Sequence, residues 1–159
     1  MINSNLNATA PRPNVYVQNK VLKIDFSPDQ RQEVLASLEF LGPGLSNFIE
    51  GFFNHFTTHK TKEFIFKHTE ESLTNMLSSS LNLIISSIDQ PIPLVEYITI
   101  IEARLPHFKD LLKNKDLFIK SFMNALVDSF QGNYTERLGK LWFKAVTSYV
   151  NAVFRLYNL

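Results

Sequence analysis

The stretch from Leu94 to Phe108, LVEYITIIEARLPHF, constrains the fold most, because prolines bound it on one side and break it on the other. Pro91 and Pro93 precede it, and Pro106 interrupts it directly before His107. Apolar residues recur along the stretch at the spacing of one helical face. They are Leu94, Ile98, Ile101 and Leu105. The pattern predicts a helix that either presents the histidine to a cofactor or walls a pocket from which a cofactor has been lost.

The composition indicates one helical domain with a core of large flat side chains. The 159 residues include 14 phenylalanines and only 5 glycines, and this length can bury a substantial core. A net charge of +1 gives no field that would attract nucleic acid or an anionic membrane. The absence of cysteine excludes disulfides and thiolate metal sites. No apolar run approaches the roughly 20 residues that span a bilayer, and no signal pattern opens the chain, so we expect a cytoplasmic protein.

The N-terminal residues differ from the rest of the chain. Residues 1–14 are polar and contain two prolines, and residues 15–26 alternate weakly between apolar and polar side chains. We expect an extended arm over 1–26, in which a hairpin about Asn19 and Lys20 lacks a good turn pair. The helical domain then covers 27–159.

Three helix starts are marked by capping residues. Ser27 caps the first helix, Pro28 takes its first position, and Gln30 completes a capping box. Thr69 and Thr135 begin two later helices, each followed by glutamate in the first turn, where an acidic side chain suits the helix dipole.

Apolar residues at helical spacing predict roughly seven helices and therefore an all-α fold. Gly42 ends the first helix, and the second carries the segment FIEGFFNHF. A long helix over 70–88 follows, and the last two helices cover 117–130 and about 135–157. Both of these last helices are apolar over more than the ~100° that faces one core. Deep burial and a dimer interface made of two helices from each chain are equally compatible with this pattern.

Gly51 lies inside the second predicted helix, where glycine costs about 1 kcal/mol relative to alanine. A second helix crossing very close to it would explain the glycine. The serines at 78–80 offer a small-residue patch on the long helix and are the expected partner.

The order of these elements, with two long helices last and a broken proline-rich connection in the middle, resembles that of globins. FIEGFFNHF resembles the second helix of sensor-type globins, and LGKLWFKAV resembles the start of the final globin helix. Tyr97 to His107 resembles the proximal segment of globin-coupled sensors, which would place His107 near the haem-ligating position.

Over its whole length, including PRPNVYVQN, the chain looks like the non-haem globin sensor domains of Bacillus. These form the sensor part of a sporulation histidine kinase and also stand alone as plasmid-encoded sporulation inhibitors. The resemblance implies a globin-like fold without haem, a hydrophobic tunnel for a fatty acid, a polar chamber that can hold chloride, and a homodimer through the last two helices. It also implies that the chain inhibits sporulation by titrating the kinase's signal or by pairing with the kinase.

Three features of the residues themselves argue against haem. The helix over 70–88 would form the distal wall, yet it carries no histidine. Pro106 breaks the helix directly before His107, so the histidine would lie at the start of a turn. A ligating histidine normally sits within a helix, and a hydrogen-bond partner at its other ring nitrogen orients it. Leu105, which leans away from helical geometry before proline, would crowd a porphyrin together with Pro106.

An aliphatic ligand would fill the space that haem leaves, because proteins rarely keep large voids. The expected lining lies mainly between the second helix and the helix over 70–88. It consists of Phe52, Phe53, Phe56, Phe64, Phe66, Met76, Ile84, Ile98 and Ile101. Burying sixteen carbons contributes about 12 kcal/mol before the costs of association. The alternative is that these side chains are ordinary core.

Tyr97, Arg104 and His107 form the expected anion site or polar chamber. Arg104 lies where one helix ends, and the free backbone N–H groups of the next turn would begin at Pro106. A carboxylate or chloride would suit this convergence. The alternative is a solvated arginine and an ordinary boundary histidine.

Other constellations are weak. His55, His59 and Glu63 follow one another at four-residue spacing, but the metalloprotease order is absent and we expect no metal site. No phosphate loop, nucleophile elbow or carboxylate pair stands out, so we expect no enzyme. The leading hypothesis is a fatty-acid-binding sensor domain. Its rivals are a haem-binding gas sensor and a dimerisation module without a ligand.

Overall fold

The computed structural model describes residues 21–42, 45–105 and 108–157. These residues form eight α-helices and one short antiparallel pair of strands, which confirms the predicted all-α class. Two 3-10 turns, Leu38–Leu41 and Gln131–Asn133, extend helix ends. The elements are β1 (Val21–Leu22), α1 (Pro28–Ser37), α2 (Ser46–Phe56), α3 (Lys62–Lys67), α4 (Glu70–Asp89), β2 (Ile92–Pro93), α5 (Leu94–Arg104), α6 (Phe108–Leu112), α7 (Lys115–Phe130) and α8 (Glu136–Leu156).

Several sequence predictions fall outside these ranges. Pro106 and His107 lie outside the described residues, and so do the hairpin about Asn19 and Lys20 and the arm up to residue 20. Among the described helices, none combines the length and the apolar character needed to cross a bilayer.

The predicted helix starts are confirmed. The Ser27 side chain accepts from the Gln30 backbone N–H at 3.2 Å, and the Gln30 side chain accepts from the Ser27 N–H at 3.0 Å. Thr69 accepts from the backbone N–H of Ser72 at 3.1 Å. Thr135 caps the last helix in the same way, accepting from Leu138 N at 3.1 Å. Each side-chain oxygen satisfies a backbone donor that the first helical turn leaves without a partner.

The predicted helix ends also agree with the structure. The chain tightens into a 3-10 turn after α1 and leaves it at Gly42, whose φ of +74° is a conformation that glycine adopts without strain. Helix α5 ends at Arg104, and Leu105 takes φ −135° and ψ 88°, as expected of a residue that precedes proline.

Two elements differ from the sequence expectation. The segment around Phe64–Phe66, expected as a short apolar turn, is a helix over Lys62–Lys67. The segment predicted to be extended contains β1, which pairs with β2 about 70 residues later. In this pairing Val21 lies opposite Pro93. This pairing closes a long loop and is invisible to local patterns.

The most extensive helix contact is between α2 and α7, followed by that between α8 and α7. Gly51 lies at the first of these contacts, as expected for a glycine at a close helix crossing. Its partner is Ala125 on α7, so the prediction that the serines at 78–80 would face it is wrong. A Cβ built on Gly51 would lie 3.5 Å from the Ala125 Cβ. Two small side chains facing each other therefore let these helices approach.

Helix α8 supplies much of the core. Trp142 and Tyr149 are completely buried on its inner face, together with most of its aliphatic residues. The Trp142 indole N–H donates to Ser37 Oγ at 2.9 Å, which ties α8 to the end of α1. At 1.5 Å per residue, 21 residues make α8 about 32 Å long.

Candidate functional site

The apolar side chains predicted to line a ligand tunnel lie in two different environments. Six belong to the closed core: Phe52, Phe56, Met76, Ile84, Ile98 and Ile101. Phe53 and Phe64 are half-buried, and Phe66 is 77% exposed. The predicted lining is therefore divided between a packed interior and an open surface.

The closed part is an aromatic cluster between α2 and α7. The Phe52 ring stacks on Phe56 at 5.4 Å between centroids and meets Phe118 edge-on at 5.1 Å. Phe48 packs edge-on against Phe122 at 4.9 Å. The sequence analysis placed these rings opposite the helix over 70–88. Their aromatic partners are on α7 instead, because the small-residue contact draws α2 toward that helix.

The open part is a groove bounded by α2, α3 and the first turn of α4. We call it the α2–α4 groove. Its volume is about 790 Å³. Its apolar lining consists of Ile49, Phe53, Ile65, Phe66 and Leu73. Phe53 and Phe66 were both predicted as ligand-binding residues, and the groove brings them together.

The short helix α3 explains why one phenylalanine packs inward and another faces the solvent. Phe64 and Phe66 are two positions apart, so they project about 200° apart around the helix. Phe64 packs on the His68 ring with 4.6 Å between centroids. Phe66 is left on the side that faces the groove and the solvent.

The polar lining of the α2–α4 groove combines two carboxylates, one imidazole and uncharged side chains. Glu50 and Glu70 lie along it and are both exposed, and His68 contributes an imidazole. Ser46, Asn54 and Thr74 add uncharged hydrogen-bonding groups. Within the described chain, the lining includes no lysine or arginine.

Two of the three predicted anion-site residues lie along the contact between α4 and α5. Tyr97 lines a small crevice of about 210 Å³ together with Ser79, Asn82 and Ser86. Arg104 Nη1 donates to Ser79 Oγ at 3.3 Å, so the guanidinium lies at the edge of this crevice. The third predicted residue, His107, is beyond what the structure describes.

Side-chain hydrogen bonds join α8 and the residue that follows it to α4 and α5. The hydroxyls of Tyr149 and Ser80 lie 2.8 Å apart in the core, and burial raises the pKa of Tyr149 above its usual range. The Tyr157 hydroxyl donates to Glu102 Oε1 at 2.6 Å. Burial first, and then this bond to a carboxylate, raise the pKa of Tyr157. Sequence reasoning missed both pairs, because partners 55 or more residues apart leave no local signal.

The described residues contain no group of three or more potential metal ligands. His55 Nε2 lies 3.0 Å from Asp128 Oδ2, so its polar partner is on α7.

The outer surface of α7 and α8 carries exposed apolar side chains. Phe143 is 52% exposed and Val127 is 38% exposed. Between the two helices lies a shallow groove of about 670 Å³, to which Ile119, Met123 and Phe143 contribute. This is the surface that the sequence analysis considered for a dimer.

Comparison of the chain with protein-family models, curated proteins and solved structures found no match.

Proposed function

We propose that this chain is a cytoplasmic sensor domain with a globin-like fold, which binds the aliphatic chain of a fatty acid in the α2–α4 groove without haem. The carrying observation is that Phe53 and Phe66, both predicted from the sequence as ligand contacts, line one open apolar groove. Following the resemblance to non-haem globin sensors, the domain lowers sporulation by titrating the signal of a related sensor histidine kinase.

The size and exposure of the groove support a small-molecule ligand. Small-molecule sites usually measure about 300–1,000 Å³ and are mainly apolar, and this groove measures about 790 Å³. Phe66, which is 77% exposed, leaves apolar surface in contact with water beside the apolar lining of the groove. An aliphatic chain lying on Phe66 would remove it from water and contribute roughly 0.8 kcal/mol for each CH₂ group buried.

The contact between α4 and α5 favours an aliphatic ligand over a porphyrin. If the resemblance holds, these two helices correspond to the walls of a haem pocket. Here Ile101 and Leu83 line the same crevice of only about 210 Å³, and Arg104 bonds directly to Ser79 on the opposite helix. We therefore expect purified protein to lack a Soret band, and the appearance of one would contradict the proposal.

The decisive experiment is solvent extraction of purified protein, followed by mass spectrometry and by thermal melting of the extracted protein with added hexadecanoic acid. We expect a co-purifying acyl compound. At a ligand concentration of one hundred times Kd, binding stabilises the protein by about 2.7 kcal/mol. For a chain of this size that is a rise in Tm of roughly 5–10 °C. The absence of both lipid and melting shift would favour a module without a ligand.

A pair of matched variants localises the site. Phe66→Ser should raise about fivefold the concentration of hexadecanoic acid that is needed for a given rise in Tm, since it removes part of the contact area. Phe143→Ser makes the same change in an exposed phenylalanine of α8 and should leave the response unchanged. Equal losses in both variants would contradict binding in the α2–α4 groove.

The same two variants test the proposed homodimer through α7 and α8, which would cover Phe143 and Val127. Light scattering should show that Phe143→Ser weakens self-association while Phe66→Ser does not. A monomeric wild-type protein at 100 micromolar, roughly the upper range for a specific weak dimer, would contradict this part of the proposal.

We also propose that Arg104 and Tyr97 hold a chloride at the α4–α5 crevice. Replacing Arg104 by alanine should weaken chloride binding measured by ³⁵Cl line broadening. Equal line broadening in the wild type and the variant would contradict a chloride site here.

A further inference from the structure

We propose that the natural ligand of the α2–α4 groove is a long aliphatic chain ending in an uncharged polar group, such as an alcohol, ester or amide. This inference rests on the proposed acyl-chain site and specifies the head group, so that an ionised fatty acid binds the same groove but more weakly. It follows from the charges along the groove.

The groove lining contains two carboxylates and, within the described residues, no lysine or arginine. Glu50 lies on α2 and Glu70 opens α4, so the two acidic side chains come from different walls of the groove. An ionised carboxylate in the groove would meet like charge on both walls. Both glutamates are exposed, so this repulsion is modest and is screened by salt.

The first turn of α4 does not compensate for these charges. A helix N-terminus ordinarily attracts anions through its free N–H groups and dipole. In α4 the Thr69 hydroxyl already accepts from Ser72 N at 3.1 Å. Glu70 and Glu71 both lie in that first turn, so the protein's own carboxylates already match the positive end of the dipole.

The last cation of α3, Lys67, lies outside the groove lining and already pairs with a carboxylate. Lys67 Nζ lies 3.4 Å from Glu63 Oε1 one helical turn away. By contrast, Ser46, Asn54 and Thr74 line the groove with uncharged donors and acceptors. A hydroxyl, ester or amide head group can hydrogen-bond with such side chains without adding charge.

The test compares decan-1-ol with decanoate, which share one chain length and differ in head group. Binding is measured by calorimetry on the full chain at pH 8, where an ordinary imidazole is neutral and a carboxylic acid is ionised. At low ionic strength, decan-1-ol should bind about fivefold more tightly than decanoate, as expected for two exposed like-charge contacts. The preference should shrink as salt approaches 1 M.

Two double variants make the result specific. Glu50→Gln with Glu70→Gln should bring the two affinities within about twofold, because it removes both carboxylates from the groove. Glu39→Gln with Glu96→Gln changes the net charge equally at two exposed positions outside the groove lining and should keep the fivefold preference.

Each remaining outcome contradicts a different statement. Decanoate binding as tightly as decan-1-ol, or a preference unaffected by the groove variant, would overturn the uncharged head group while leaving the acyl-chain site intact. Binding of neither compound would overturn the acyl-chain site itself, and the inference with it.

Discussion

Phe52 and Phe53 are neighbours on α2, yet they belong to opposite kinds of environment. Phe52 is completely buried and touches rings on α7, whereas Phe53 is half-buried and lines the open α2–α4 groove. Adjacent helical residues project about 100° apart, so a helix with a wide apolar stripe can face two partners. One partner here is a long helix, and the other is the short helix α3.

The difference between the two regions lies in how completely their apolar surface is matched. On the closed side, rings from α7 pack edge-on against those of α2 at the 4.5–7 Å separations that favour aromatic pairs. On the open side, the six residues of α3 leave Phe66 exposed. The closed region therefore supplies stability, and the open region leaves apolar surface that the proposed ligand would cover.

The largest effect should come from Phe52→Ala, which would break the closed region. Removing a completely buried phenylalanine leaves a cavity beside Phe53, Phe56, Phe118 and Phe122, at a cost of about 3–5 kcal/mol. Phe66→Ala, the matched change in the open region, should alter the free energy of unfolding by no more than about 0.5 kcal/mol. Guanidinium unfolding of both variants measures the contrast. Similar losses would show that the groove is packed in solution and would contradict the division.

The boundaries of the elements were predictable because their signals are local. Ser27 with Gln30, the threonine caps and Gly42 act through atoms within a few residues, and each behaves as expected. The pairing of β1 with β2 was not predictable, because its partners lie about 70 residues apart and neither strand exceeds two residues. Local chemistry determines where helices begin and end, and long-range packing determines what they meet.

The candidate site shows the same limit. The sequence analysis predicted Phe53 and Phe66 as ligand contacts, together with seven other side chains, of which six are buried in the core. Apolar character and helical spacing were identical for both groups. On α2, what separates Phe52 and Phe56 from Phe53 is which side of the helix faces α7, where Gly51 meets Ala125. A glycine in a helix signals a close approach but does not identify its partner.

A smaller effect should follow from Tyr149→Phe, which tests whether the closed region tolerates an unpaired polar group. The substitution keeps the ring and leaves Ser80 Oγ with only its weak contact to Met76 Sδ at 3.8 Å, so it should cost about 1–2 kcal/mol near pH 7. Ser80→Ala in the same background should restore part of that loss, because it removes the orphaned hydroxyl. The pairing would be contradicted if the double variant were less stable than Tyr149→Phe by the full loss that Ser80→Ala causes in the wild-type protein.

The pH dependence of that difference has a definite sign. Burial raises the pKa of Tyr149 in the folded state above the ordinary value near 10, so the folded protein holds this proton more tightly than the unfolded chain. The resulting stability is complete below about pH 10 and declines as the pH rises further, by up to about 1.4 kcal/mol per unit. The gap between wild type and Tyr149→Phe should therefore narrow from pH 9 to pH 11. A constant gap would contradict a buried neutral phenol.

The smallest effect concerns the contact that draws α2 toward α7 and thereby closes one region while leaving the other open. A Cβ on Gly51 would lie 3.5 Å from the Ala125 Cβ, an ordinary van der Waals distance, so the crossing is close without requiring glycine. Gly51→Ala should therefore stabilise the protein by about 0.5–1 kcal/mol through helix propensity. Gly139→Ala is the matched control on α8, where the added Cβ would overlap the Tyr134 hydroxyl and displace that ring, so the same propensity gain should be lost. Urea unfolding of both variants decides. Destabilisation by Gly51→Ala would mean that α2 and α7 approach more closely in solution. The division of the α2 rings between the core and the groove would then depend on the glycine.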